Sequence, residues 1–320
     1  MRVLIWHVHG SYTTALVQGP HEYLLPRLPD RGPYGRGRAL TWDWPASAIE
    51  VTREEAAELD VDVVILQRPE ELNGLCEGWL GGRRPGWDVP AIYLEHNAPQ
   101  GRIADMRHPA ADRPELTVVH VTHFNNLFWD TGTTRTRVIE HGIVDPGYRY
   151  SGRLPRAAAA INEPLRRGRV TGTDLLGRLG SSVHIDVYGI GCGALGGVED
   201  PPQSAFHEEL AQRRVYLHPI RWTSLGLTLL EAMHLGMPVV ALATTEVVEA
   251  VPDEAGLVSN DVPKLAEALR RLVCDPDEAR ERGRVAREAA VARYGLGRFL
   301  ADWDALLSEV VVDARREMAA

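Results

Sequence analysis

Short β-branched apolar runs alternate along this chain with longer stretches of helical periodicity. In the first half the runs are "RVLIWHV" (2–8), "DVVILQ" (62–67), "AIYLEH" (91–96), "LTVVHVT" (116–122) and "TRVIEHG" (136–142). Runs apolar on both faces suit buried strands of a parallel sheet. Residues 26–38, rich in Pro, Gly and Arg, read as a loop. "GIVDPGYRYSGRLPR" (142–156) holds turn residues without a sustained period and is the best linker. The alternation then restarts with "AAAAIN" (157–162), "VHIDVYG" (183–189), "RVYLHP" (214–219) and "MPVVAL" (237–242). Helices are predicted over 261–275 and 276–294, started by Asp261 and Asp275, and over 297–311. The pattern predicts α/β architecture: two doubly wound, Rossmann-like domains, 1–148 and 149–320, whose last helix can pack back on the first domain.

Composition narrows the classes. A chain of 320 residues with 44% hydrophobic and 25% charged residues is ordinary for a soluble protein of two domains. Its net charge of −9 argues against nucleic-acid binding. Lys264 is the only lysine, which excludes a P-loop and disfavours Schiff-base or pyridoxal phosphate chemistry. The arginine bias suggests a GC-rich bacterial source. Cys76, Cys192 and Cys274 lie far apart and form neither a zinc pattern nor a disulfide framework, as expected in a reducing cytoplasm. The opening "MRVLIWHVHG" is too short and too quickly interrupted for a signal peptide, and no apolar run reaches the ~20 residues of a membrane span.

The chemistry concentrates in "RVYLHPIRWTSLGLTLLEAMHLGMPVVAL" (214–242). A strand ending at Pro219 leads to a polar loop where Thr223 or Ser224 can cap a helix that stops at Gly236. The N–H groups of Ser224, Leu225 and Gly226 would then face an anion such as a diphosphate, at the strand end where α/β folds bind ligands. Gly226 admits close backbone approach. Glu231, two turns in and nearly eclipsing Ser224, can accept hydrogen bonds from both ribose hydroxyls. The competing reading is an ordinary helix residue. His7 and His9 share a face, a weak metal signal without a third ligand. No Asp-x-Asp metal pair ends a strand.

"HPIRWTSLGLTLLEAMHLGMPVVA" resembles the signature of retaining GT-B glycosyltransferases of family 4, or group 1 (P-S-x-x-E-G-F-G-L-x-x-L-E-A-M-A-x-G-x-P-V-V-A). "AIYLEHN", "IEHGIVDP", "IDVYGIG" and "RYGLGRFLADWDALL" resemble further landmarks of the family, in order, with residues 10–60 least similar. The resemblance implies the GT-B fold with a cleft between its domains. It makes Glu231 the ribose-binding Glu and Ser224, Leu225, Gly226 and Leu227 the rest of that donor segment. The family's first Glu falls on Thr223, which puts donor choice in question. His96 matches the family His that contacts the donor sugar, against a core histidine. Gly10 matches the glycine-rich loop that reaches the donor phosphate. "INEPLRRGRVTGTDLL" (161–176) departs from G-R-L-x-x-x-K-G, leaving Asn162 at the strand end and Arg167 with Arg169 to neutralise diphosphate, against a solvated basic loop. His120 and His123 read as structural or acceptor-side, and His141 as a residue near the hinge.

The implied function is transfer of a hexosyl group from a nucleotide sugar, UDP first and GDP next, to a small or amphipathic acceptor. Retention, no metal and no cofactor are expected, with His96 and Thr223 at the reacting sugar. The alternatives are a non-catalytic nucleotide-sugar binder or an epimerase or hydrolase on the same fold. No basic amphipathic helix indicates membrane docking, and a homo-oligomer stays open.

Overall fold

The computed structural model describes residues 1–181 and 183–319. The chain divides into two compact units: Met1–Val144 together with the segment from Leu296, and Asp145–Gly295.

The first unit holds β1 (Arg2–Ile5), α1 (Gly10–Leu16), β2 (Glu22–Pro26), β3 (Ala48–Val51), α2 (Arg53–Glu58), β4 (Val63–Leu66), α3 (Cys76–Trp79), β5 (Ala91–Glu95), β6 (Leu116–His120), α4 (His123–Phe128) and β7 (Arg135–Val138). The sheet is all parallel in the order β3-β2-β1-β4-β5-β6-β7. Leu4 pairs with Leu24 on one side and Val64 on the other, so the strand order reverses at β1. Crossovers leaving that point in opposite directions open a crevice at the strands' carboxyl ends. β4 is fully buried, as its continuous apolar run requires. Two strands were not expected. β2 is closed by Pro26, and β3 is a four-residue edge strand whose Glu50 accepts from Arg31 and Arg38.

The second unit holds β8 (Leu154–Ala160), α5 (Pro164–Arg167), α6 (Leu176–Leu179), β9 (Ile185–Tyr188), α7 (Gln203–Gln212), β10 (Arg213–His218), α8 (Leu227–Leu235), β11 (Val239–Ala241), α9 (Val247–Ala250), β12 (Gly256–Val258), α10 (Val262–Cys274) and α11 (Pro276–Tyr294). Its parallel order is β12-β11-β10-β8-β9, with the reversal at β8 and β10. The alanines of β8 leave room for helices on both faces. Ala157, Ala159, Val215 and Leu217 share a core with Leu179 of α6 and Leu265 of α10. The alternate residues Ala158, Tyr216 and His218 point to the opposite face, where α8 packs against α7 and α11. Asp261 and Asp275 cap α10 and α11 as the sequence indicates, accepting from Lys264 N and from Asp277 N and Glu278 N. Three-residue β12 is the other unexpected strand.

The final helix, α12 (Leu296–Ala319), returns to the first unit. Trp303 Nε1 donates to the Tyr12 hydroxyl at 3.0 Å, and Arg137 pairs with Glu309 at 3.1 Å. Gly142 is required there, because a Cβ would sit 2.3 Å from that of Phe299. Among the described residues no helix is long and apolar enough to cross a membrane.

Candidate functional site

In the second unit α8 begins at Leu227, with Gly226 as its N-cap in extended backbone and no side-chain cap. Thr223 and Ser224 were expected to cap this helix and do not: they lie in the preceding turn, Ser224 buried at 2% exposure. The cap falls on Gly226 because of what lies beneath it. A Cβ there would stand 2.6 Å from His218 Cε1, so only glycine allows the turn to close over the imidazole. The first-turn N–H groups are left without a side-chain acceptor and can serve a ligand. His218, in β10, is 1% exposed with neither ring nitrogen hydrogen-bonded, and burial pushes its pKa down to about 4. It is a neutral ring at physiological pH.

Glu231 is the fifth residue of α8, little more than one turn in, and Ser224 is not helical; the expected two-turn eclipse does not exist. The carboxylate is 4% exposed and lies 3.5 Å from His207 Nε2 of α7, which meets Gln203 at 2.8 Å. Tyr216 lies close enough for the charge of Glu231 to add to the burial that raises its hydroxyl pKa. His207 and His218 escaped the sequence reading. "RVYLH" shows His218 at the strand end, but nothing local links His207 to Glu231.

Asn162 ends the β8 strand region, and its Oδ1 accepts from Ile190 N at 3.0 Å. Gly189, at φ +128°, makes that contact possible, since a Cβ would come within 2.6 Å of the same oxygen. The arginines that follow separate. Arg166 is bound to Glu163. Arg167 is half-buried, forms no hydrogen bond or ion pair with a described side chain, and has its pKa lowered by burial. Arg169 is 79% exposed at its side chain and pairs with Asp174 at 3.3 Å. Asp174 is also held bidentately by Arg221 at 2.6 and 2.9 Å. Arg167 and Arg169, expected to act together, thus have different surroundings.

In the first unit, α1 opens at Gly10 behind His9, again without a side-chain cap. A Cβ on Gly10 would meet nothing nearer than Trp42 Nε1 at 3.5 Å. His96 follows β5. Gln67 donates through Nε2 to Trp6 O at 2.7 Å, so its Oε1 accepts from His96 Nε2 at 2.9 Å, which places the His96 proton on Nε2 and leaves Nδ1 as acceptor. The His9 ring lies 4.2 Å from that of His96, and Tyr12 meets His96 edge-on at 4.7 Å and His141 at 5.7 Å. Burial takes His9 to about 4, His141 to about 3 and His96 well below its ordinary value. His141, expected merely near the hinge, therefore belongs to this group of neutral rings. His7 bonds Gly37 O at 3.1 Å, and among the described residues no three potential ligands are grouped for a metal. His120 is buried with both nitrogens unpartnered, whereas His123 starts α4 at the surface. His108 was not anticipated. Its Nδ1 accepts from Ala110 N and its Nε2 donates to Glu95 at 3.1 Å, a buried structural pair thirteen residues apart.

Residues 191–275 match the model of the family described as glycosyl transferases group 1. A stretch of 102 residues is 35% identical to the alpha-maltose-1-phosphate synthase of Mycolicibacterium smegmatis, covering 29% of this chain and only 26% of that protein. Among solved structures, sucrose-phosphate synthase from Thermosynechococcus elongatus superposes with a TM-score of 0.72 at 14% identity, over 98% of this chain and 100% of the other. Anabaena HepE in complex with UDP-glucose gives 0.70 at 15% identity, over 97% and 100%. TarM of S. aureus gives 0.60 at 14%, over 77% of this chain and 55% of its own. At these identities the structural likeness is one of fold. The two parallel α/β units have the GT-B fold, and the stretch that carries the β10–α8 turn and Glu231 lies within the match to group 1 glycosyl transferases.

Proposed function

We propose that this protein is a metal-independent, retaining hexosyltransferase that uses a nucleotide-diphosphate sugar. The observation that carries the reading is the β10–α8 turn: an uncapped helix start closed over His218, followed by buried Glu231, within the residues that match the family. Its first-turn N–H groups and the unpaired Arg167 supply positive field for charge growing on the departing diphosphate. Glu231 takes the ribose hydroxyls after exchanging its contact with His207. The first unit takes the acceptor, and in it His96 has an Nδ1 lone pair available to a sugar hydroxyl. The leaving phosphate oxygen helps deprotonate the acceptor on the face it leaves, so retention demands no protein nucleophile. UDP is the first choice, as in the UDP-glucose complex of HepE, and GDP the second. Three dispersed cysteines, two buried, fit work in the cytoplasm.

Calorimetry with UDP and GDP, followed by a donor panel assayed with and without EDTA, tests this. Binding of one nucleotide and EDTA-resistant turnover with retained configuration are expected. Turnover that needs added Mg²⁺ or Mn²⁺ would overturn the metal-independent assignment. Thr223 favours a second reading, a binder without turnover. If wild type is inert on every donor while Thr223→Glu is active, the binder is correct. If wild type turns over a donor and Thr223→Glu shifts its preference, Thr223 sets donor choice.

A further inference from the structure

The second unit contains another cavity, of about 470 Å³, on the face of its sheet opposite α8. It opens where α6 and α10 pack together, at the carboxyl ends of β11 and β12. Leu175, Leu242 and Val262 give it an apolar wall. Arg169, Arg178 and Arg221 face one carboxylate, Asp174, so three positive charges against one negative leave an excess of two. Asp174 is already committed: Arg221 grips both of its oxygens and Arg169 shares one, which holds its carboxyl below the usual carboxylate range. Exposed Arg178 has no ion pair with any described residue. This local excess of two guanidinium charges lies beside an apolar wall, in a chain whose net charge is −9.

We propose that this cavity binds the phosphate group of a small phosphorylated metabolite, whose remaining body lies against Leu175, Leu242 and Val262. Guanidinium forks match phosphate oxygens in bidentate fashion, and a dianion cancels the local excess. Of the residues expected at the donor site only Arg169 lines the cavity, and its side chain is paired with Asp174; no residue of α8 and neither Asn162 nor Arg167 reaches it. The two sites are nonetheless coupled. Arg221 N and Trp222 N donate to Val170 O, Arg221 Nη1 reaches Arg169 O, and Thr244 holds Ile220 O. The cavity wall therefore grips the turn that carries Thr223 and Gly226. A phosphate that competes with Asp174 for Arg221 repositions that turn.

The test follows thermal melting of the full chain titrated with inorganic phosphate at constant ionic strength, in wild type, Arg167→Ala, Arg178→Lys and Arg178→Glu. Phosphate is expected to raise the midpoint of wild type, Arg167→Ala and Arg178→Lys. In Arg178→Glu its apparent affinity falls about tenfold or more, as expected when a charge-assisted contact becomes a repulsion. Because Arg178 is exposed, the unliganded midpoint of each Arg178 variant should equal that of wild type, which separates loss of binding from misfolding. A response lost in Arg167→Ala but intact in Arg178→Glu would place phosphate beside Arg167, at the proposed donor site, and overturn the proposal. So would the absence of any response in wild type at tens of millimolar phosphate.

Discussion

The turn from β10 into α8 and the turn from β1 into α1 share one plan. Each takes a parallel strand past a histidine into a helix that no side chain caps. They differ in what occupies the space under the glycine. Below Gly226 lies the His218 ring, 2.6 Å from where a Cβ would stand; around Gly10 the nearest atom is 3.5 Å away. The second-unit turn is thus committed to glycine by close packing on a single neutral imidazole. The first-unit turn is instead defined by stacked rings, His9 on His96 with Tyr12 and His141 beside them. An uncapped helix start can be fixed by close contact in one unit and by desolvated aromatic surface in the other.

Acid should separate the units most strongly. Burial lowers the pKa of His141 and His120 to about 3 and that of His218 to about 4, below the ordinary 6.5, so each ring is held neutral in the folded state. The unfolded chain binds more protons below about pH 6.5, and stability held above that pH is lost as pH falls towards the folded pKa values, by about 1.4 kcal/mol per unit for each such ring. The first unit, holding two of these three besides His9 and His96, should lose protection first. Hydrogen exchange of the two units between pH 7 and 5 checks the order; equal loss would show that burial in the two is equivalent.

Glu231→Ala should weaken nucleotide binding by about 1.5–3 kcal/mol, the range for a hydrogen bond to a charged group. Unchanged calorimetric affinity in a folded variant would remove the carboxylate from the ribose. Gly226→Ala should destabilise the protein by about 1–3 kcal/mol, the cost of overpacking, while Gly10→Ala changes stability by less than about 1 kcal/mol. His218→Ala should relieve part of the Gly226→Ala penalty, a coupling that urea melts of the double-mutant cycle measure. Last, Arg167→Ala should weaken UDP more than uridine, whereas Arg169→Ala, whose side chain is exposed and already paired, should change UDP affinity less. Equal losses in the two variants would show that the pairing with Asp174 does not hold Arg169 away from the diphosphate.

Most of the sheet was legible because buried parallel strands announce themselves as apolar runs, and α10 and α11 because Asp261 and Asp275 act on N–H groups two or three residues away. The start of α8 was misplaced for the opposite reason. Ser and Thr are good caps in general, but a ring eight residues earlier in the chain, invisible to local preference, decides that Gly226 takes the position. Arg167 and Arg169 look alike in sequence, and only the distant Arg221–Asp174 pair distinguishes them. Likewise His207 meets Glu231 through the packing of α7 on α8, which no spacing along the chain reveals. β2, β3 and β12 are too short, or too quickly ended by proline, to raise a periodic signal.

The return of α12 to the first unit has a consequence for biosynthesis. Tyr12 precedes Trp303 by 291 residues, yet its hydroxyl waits for that partner, and Gly142 waits for Phe299. The whole of Asp145–Gly295 emerges from the ribosome in between. The first unit is therefore completed only after the second, which is contiguous in sequence and can finish folding before it. Until translation passes Trp303, the ring cluster around Tyr12 is an open apolar surface, and chaperones would meet it on a nascent chain whose second unit is already folded.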